Sequence, residues 1–179
     1  PDPQVLTDRG GWPVRSFWVS VHRWAGLLMA AFLTVAGLTG AIISWDREID
    51  GILNSHLTRS TGPAFNVKPL ELVASIERAD PRVRVTYLPL SAEPGSSLAV
   101  FVSPRLDPAT KEHYSPGYNQ IFVDPQSGRI LGHRDWGAVW PVTRETFVSF
   151  LYVLHYSLHV PEMWGIDAWG LWLMGTIAA

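Results

Sequence analysis

WAGLLMAAFLTVAGLTGAIISW, residues 24–45, is a run of 22 residues without one charged side chain. A helix of that length reaches about 33 Å, enough to cross the hydrocarbon core of a bilayer. It is too long for the apolar part of a signal peptide, and no A-x-A cleavage pattern follows it. Arg9, Arg15 and His22-Arg23 precede the run, whereas Asp46, Glu48 and Asp50 largely offset Arg47 after it. The positive-inside rule then puts the N-terminus in the cytoplasm and the following segment outside. The run is also patterned. At about 100° per residue, Gly40 lies five full turns from His22, on the same side, with Ala25, Gly26, Ala36 and Gly37 near that line. Small residues on one face allow close approach, and the residues alone leave two readings open: helix–helix packing, or a groove for a flat cofactor.

A second apolar stretch runs from Phe147 to the C-terminus and carries His155 and His159. Residues 145–160 read as a nearly all-apolar helix of about four turns. Pro161-Glu162-Met163-Trp164-Gly165 breaks it, and a further helix is expected near Asp167, which would cap Trp169 and Gly170. Only about a dozen residues remain, fewer than the roughly 20 needed to span. The segment 146–160 is therefore expected to be interfacial or partly inserted, and 161–179 to be the start of a truncated second span. The first residue is Pro1, and the last four, Thr176-Ile177-Ala178-Ala179, lie inside an apolar run, so a fragment of a longer polytopic protein is expected.

Composition agrees with a membrane protein: 47% of the 179 residues are hydrophobic and 17% charged. Four of the nine tryptophans (Trp12, Trp18, Trp24, Trp45) flank or open the first apolar stretch. Five (Trp136, Trp140, Trp164, Trp169, Trp172) flank or enter the second. Tryptophan favours the bilayer–water boundary, and none lies between Asp46 and Asp135. The expected organisation is a cytoplasmic tail over 1–16, a transmembrane helix over 17–45 and a water-exposed module over 46–145. Within the module, 68–79 reads as a helix with Leu70, Val73, Ala74 and Ile76 on its apolar face, stopped by Asp80-Pro81. Strands are expected at 82–88, 97–102, 120–123 and from 129, with a loop at 106–117 and a turn at 124–128. That is a helix packed on a small antiparallel sheet.

The absence of cysteine excludes disulfides, thiolate zinc, iron–sulfur clusters and covalent haem attachment. A net charge of −2 gives no reason to invoke nucleic acid. No G-x-G-x-x-G, P-loop, G-x-S-x-G or H-E-x-x-H pattern occurs, so no nicotinamide or flavin site is recognisable. Histidines are what the apolar segments carry without need. An ionisable group at membrane depth is costly, and an imidazole facing into a helical bundle is a standard haem-iron ligand.

Three segments, VHRWAGLLMAAFLTVAGLTGAIISW (21–45), QIFVDPQSGRILG (120–132) and FLYVLHYSLHVPEMWGIDAW (150–169), together resemble the PepSY-associated transmembrane family. The resemblance covers about residues 16–179. It implies an α-helical transmembrane bundle, here a fragment lacking at least half its helices, with an inserted α+β PepSY-like periplasmic module. It also implies the bacterial inner membrane, and, from the family's ferric-siderophore reductases, two b-type haems in the full-length protein. Other members have no known redox role.

On that resemblance His22 is expected to ligate a haem near the cytoplasmic face, and His155 one near the outer face. His22 has a plain alternative as an interfacial residue beside a snorkelling Arg23, and in the rival reading given below the histidines are structural. His159, one turn beyond His155, is a weaker candidate. Residues at i and i+4 project the same way from one helix, so His155 and His159 cannot both ligate one iron while that helix is intact. Each haem then needs a second axial ligand from elsewhere. Arg15 and Arg23 inside, and Arg134 and Arg144 outside, are candidate partners for haem propionates or ordinary membrane-border charges. His56, His113 and His133 read as exposed module residues with no zinc spacing. The expected activity is electron transfer from an unidentified cytoplasmic donor, through haem, to a periplasmic ferric chelate such as an iron–siderophore. The rival expectation is a membrane-anchored PepSY binding or regulatory module without redox activity.

Overall fold

The computed structural model describes residues 12–60, 67–166 and 168–178. The chain divides into two compact units, one formed by residues up to Ala41 and from His155 onward, the other by Ile42–Leu154.

The first unit is built on helix α1, Trp12–Ile43. The helix starts earlier than the uncharged run implies, so residues 12–16 are helical and not tail. Pro13 falls in its first turn, where an N–H has no intrahelical partner to lose. His22 accordingly lies about three turns inside the helix, not at its mouth. The stretch Val14–Ile43 has a mean hydropathy of 2.1, and only 6% of its most apolar window is buried. A core helix of a soluble protein would be mostly covered. Here Leu27, Leu28, Leu33 and Leu38 are all more than half exposed, as a lipid-facing helix requires. Its threonines do not leave bare hydroxyls: Thr34 donates to the carbonyl of Ala30 at 2.8 Å and Thr39 to that of Val35 at 2.7 Å. Helix α6, Trp169–Ala178, also belongs to this unit. An added Cβ at Gly170 would collide with the backbone of Ser157, so glycine is what allows that close approach. The expected capping residue, Asp167, lies outside the described residues.

The second unit begins with two short helices that sequence periodicity does not signal, α2 (Asp46–Leu53) and α3 (Ser55–Thr58). Helix α4 (Pro69–Ala79) carries proline at its start and turns Leu72 and Ile76 inward. Leu70, expected on the apolar face, is 83% exposed: the i, i+4 pair 72/76 sets the buried stripe instead. Strands β1 (Val83–Tyr87), β2 (Leu98–Pro104), β3 (Gln120–Val123) and β4 (Ile130–Arg134) form an antiparallel meander in chain order. Leu98 pairs with Val123 and Val100 with Ile121, which stacks alternate apolar residues under α4. The turn between β3 and β4 is organised by Asp124, whose Oδ1 accepts from the amides of Gln126 (2.8 Å) and Ser127 (3.2 Å). Gly128 closes it at φ +73°, a conformation that favours glycine. Burial alone would push the Asp124 carboxyl up; those amides outweigh it, and its pKa is lowered.

Helix α5, Phe147–Ser157, is shorter than the apolar run suggests. The amides of Thr143 and Thr146 each donate to the other's hydroxyl oxygen just before it, and this starts the helix. Its early residues Val148, Ser149 and Leu151 are buried, and Tyr152 meets Trp136 at 6.1 Å between ring centroids. Leu158 and His159 both adopt φ +53°, which ends the helix.

One electrostatic cluster makes the module sensitive to pH. The Arg82 guanidinium, bonded to Asp80 at 2.7 and 2.9 Å and helped by the Tyr118 hydroxyl at 2.7 Å, holds the Asp80 carboxyl far below the usual carboxylate range. Burial, and then donation to Asp80, push the Tyr118 phenol up to about 12. The His133 ring lies tilted against Tyr118, 4.4 Å between centroids, and burial pushes its pKa down. A depressed histidine favours the folded state above its unfolded pKa of about 6.5, and that stability is lost as pH falls toward the depressed value. Asp80 acts in the same sense below about pH 4, and Tyr118 in the opposite sense between about 10 and 12. Module stability should therefore decline on acidification below about pH 6.5, with a shallow slope because His133 is still exposed. His133→Gln should flatten that segment in thermal melts recorded against pH. An unchanged slope in the variant would assign the acid sensitivity to another group.

Candidate functional site

In the first unit the side chain of His155 lies against α1. Its Nδ1 is 3.1 Å from the carbonyl oxygen of Ala36 and 3.1 Å from Thr39 Oγ1. A carbonyl can only accept, so Nδ1 carries the proton. In a neutral imidazole the lone pair is then on Nε2. A metal-ligating histidine commonly spends its other N–H on a backbone carbonyl in this way. Gly40 lies beside the ring: an added Cβ there would sit 3.0 Å from His155 Cε1. The small-residue line on α1 thus has a specific occupant at Gly40. At Gly26 and Gly37 an added Cβ would meet nothing within 4 Å.

His22 shares the Gly40 face by helical period and is exposed. It lies eighteen residues before Gly40, about 27 Å along the axis. The two candidate ligands therefore attach at well-separated levels of one helix and do not meet. His159 departs from the expectation. It lies beyond the end of α5 in left-handed backbone, so it does not continue the face of His155, and the i, i+4 geometry does not apply. Arg15 and Arg23 are exposed on α1, and Arg144 is exposed in the module.

Arg134 must be withdrawn as a propionate partner. Its side chain is 6% exposed and already engaged: Nη1 donates to both Asp50 oxygens (2.8 and 2.9 Å) and Nε to Gln120 Oε1 (2.8 Å). The guanidinium also sits 4.8 Å from the centre of the Phe122 ring. His56 contacts Glu145 at 3.1 Å, and His113 lies in the loop, bridged to Leu106. Among the described residues no three His, Asp or Glu side chains gather around a common point. A lone imidazole holds a metal only where the other donors come from a macrocycle or another segment.

The contact of Thr39 with His155 is not legible in the sequence. The available signal was its position: a hydroxyl next to Gly40, on the small-residue side of an otherwise apolar span.

A family model described as "PepSY-associated TM region" matches residues 19–179. No curated protein matches the chain.

Proposed function

The chain belongs to the PepSY-associated transmembrane family, and from that premise we propose that it forms part of a transmembrane electron conduit reducing a ferric chelate outside the inner membrane. The observation that carries this reading is the seat of His155, whose Nδ1 lies 3.1 Å from the carbonyl oxygen of Ala36 and from Thr39 Oγ1 on α1; a neutral imidazole bonded in this way keeps its lone pair on Nε2 for a ligand bond. That arrangement fits an axial haem ligand.

In this reading His155 would hold one haem iron and His22 another, each haem needing a further ligand from beyond this pair. Haem, when bound, supplies the one-electron chemistry. The chain's own residues ligate, orient and insulate. Helix α1 spans the bilayer and sets the two levels about 27 Å apart. Arg15 and Arg23 mark the cytoplasmic side, where an unidentified donor would act, and Arg144 is a candidate partner for a propionate. The module of the second unit lies in the periplasm. The substrate, a ferric chelate of the iron–siderophore class, gains one electron and passes from Fe(III) to Fe(II). Hard oxygen donors hold Fe(II) less tightly, so the iron is released.

The visible spectrum of the purified full-length protein tests this. A Soret band that shifts on dithionite reduction is expected. A colourless preparation would sink the conduit and favour an anchored binding module. Its surface would then be the cleft of about 710 Å³ lined by Arg47, Glu48, Thr58, Glu93 and Ser97. Orientation is tested by single cysteines placed in this chain, which has none of its own. With an impermeant maleimide on intact spheroplasts, Asp107→Cys should label and Asp8→Cys should not; the reverse pattern would invert the topology.

A further inference from the structure

We infer that Thr39, together with the main-chain carbonyl of Ala36, is a positioning element that fixes the tautomer and ring orientation of His155, with Gly40 providing the space. This deepens the conduit reading and rests on it.

The hydroxyl of Thr39 lies 2.7 Å from the carbonyl of Val35 and 3.2 Å from that of Ala36. Both oxygens only accept, so the hydroxyl proton stays within the helix. What Thr39 presents to His155 is a lone pair. Nδ1–H is therefore shared between two acceptors on α1, Thr39 Oγ1 and Ala36 O, each at 3.1 Å. Thr39 is 5% exposed, so water does not compete for its hydroxyl. Two acceptors on one N–H draw the proton outward and make Nε2 a stronger electron donor toward a bound metal. They also hold the ring plane, because a rotation about χ2 would lose both. Gly40 completes the seat, since a methyl group there would stand 3.0 Å from Cε1 and the ring would have to yield.

A stronger donor at Nε2 favours Fe(III) over Fe(II). Removing one acceptor should weaken haem binding at this site and raise its midpoint potential. Outer-shell partners of metal-bound histidines are worth about 10- to 100-fold in affinity. Since the Ala36 carbonyl remains, Thr39→Val is expected near the lower end, at about 10-fold. Valine keeps the shape and β-branching, so packing is preserved. Thr39→Ser restores the acceptor and should retain wild-type affinity and potential. Gly40→Ala should lose affinity by displacing the ring.

The test uses the full-length protein in nanodiscs and has three readouts. The first needs no haem: in ¹⁵N-histidine-labelled apoprotein, with His155→Gln for assignment, Nδ1 should be the protonated nitrogen. The second is haem titration, and the third is spectroelectrochemistry of wild type, Thr39→Val and Thr39→Ser. An Nε2–H tautomer in the wild type overturns the inference. So does a Thr39→Val protein with wild-type affinity and potential. The two levels of failure separate cleanly. A wild type that binds no haem removes the conduit reading and this inference together. If His155→Ala loses its haem while Thr39→Val behaves as wild type, only the role of Thr39 falls.

Discussion

His155→Ala in the full-length protein should lose about one haem and should stop electron transfer from the cytoplasmic side to an external ferric chelate. His22→Ala should do the same through the other site. The two residues attach about 27 Å apart along α1, too far for one to substitute for the other. Stations in series fail when either is missing, so rate should collapse in both variants while haem content falls only by about half. His113→Ala is the control. That residue lies in an exposed loop bridged to Leu106, and its removal should alter neither property. Haem is counted by pyridine haemochrome, and reduction by trapping Fe(II) with a coloured chelator. Full haem and full rate in both membrane variants would end the ligand assignment and leave the anchored module as the working function.

The parts of the fold that could be read from sequence are those set by local signals. Strands β1 to β4 follow from alternation and from a turn whose Asp124 and Gly128 do the organising themselves. The transmembrane helix follows from the absence of charge, although its first turns do not, because Trp12–Ser16 are helical in spite of Arg15 and Pro13. Helices α2 and α3 were invisible because what stabilises them is distant in the chain. Leu57 packs on Gly132, and Asp50 bonds Arg134. The buried stripe of α4 was misplaced for the same reason: Leu70 and Leu72 are equivalent by hydropathy, and only the sheet beneath distinguishes them. At the candidate site, chemistry made His155 conspicuous in an apolar segment. Its partners were not conspicuous, since a backbone carbonyl has no sequence signature and a threonine in a membrane helix usually satisfies itself. The helix expected over 145–160 ends before His159 because two residues at positive φ terminate α5, and no glycine announces them.

Arg134→Ala should destabilise the module by about 3–5 kcal/mol, the range found when one partner of a buried ion pair is removed. Asp50 is 14% exposed and receives both close Nη1 contacts, so its carboxylate would be left charged and poorly solvated. Gln120, 3% exposed, would lose its Nε donor, and the carbonyl of Glu145 its 3.2 Å contact with Nη1. Asp50→Ala should cost a similar amount by stranding the guanidinium. The double variant should cost less than the two single losses added together, because each single change already breaks the same network. Arg134→Lys should not rescue: an ammonium cannot hold two carboxylate oxygens and Gln120 in one plane while stacking on Phe122. Thermal unfolding in detergent, followed by near-ultraviolet circular dichroism and limited proteolysis, measures these shifts. The pair joins β4 to the segment that leaves α1 and to the residues just before α5, so its loss should expose both connections to protease. The contacts of His155 are made with α1 itself, and haem content should therefore persist at temperatures where the Arg134→Ala module is already cleaved. Simultaneous loss of haem and module structure would instead show that the two unfold as one.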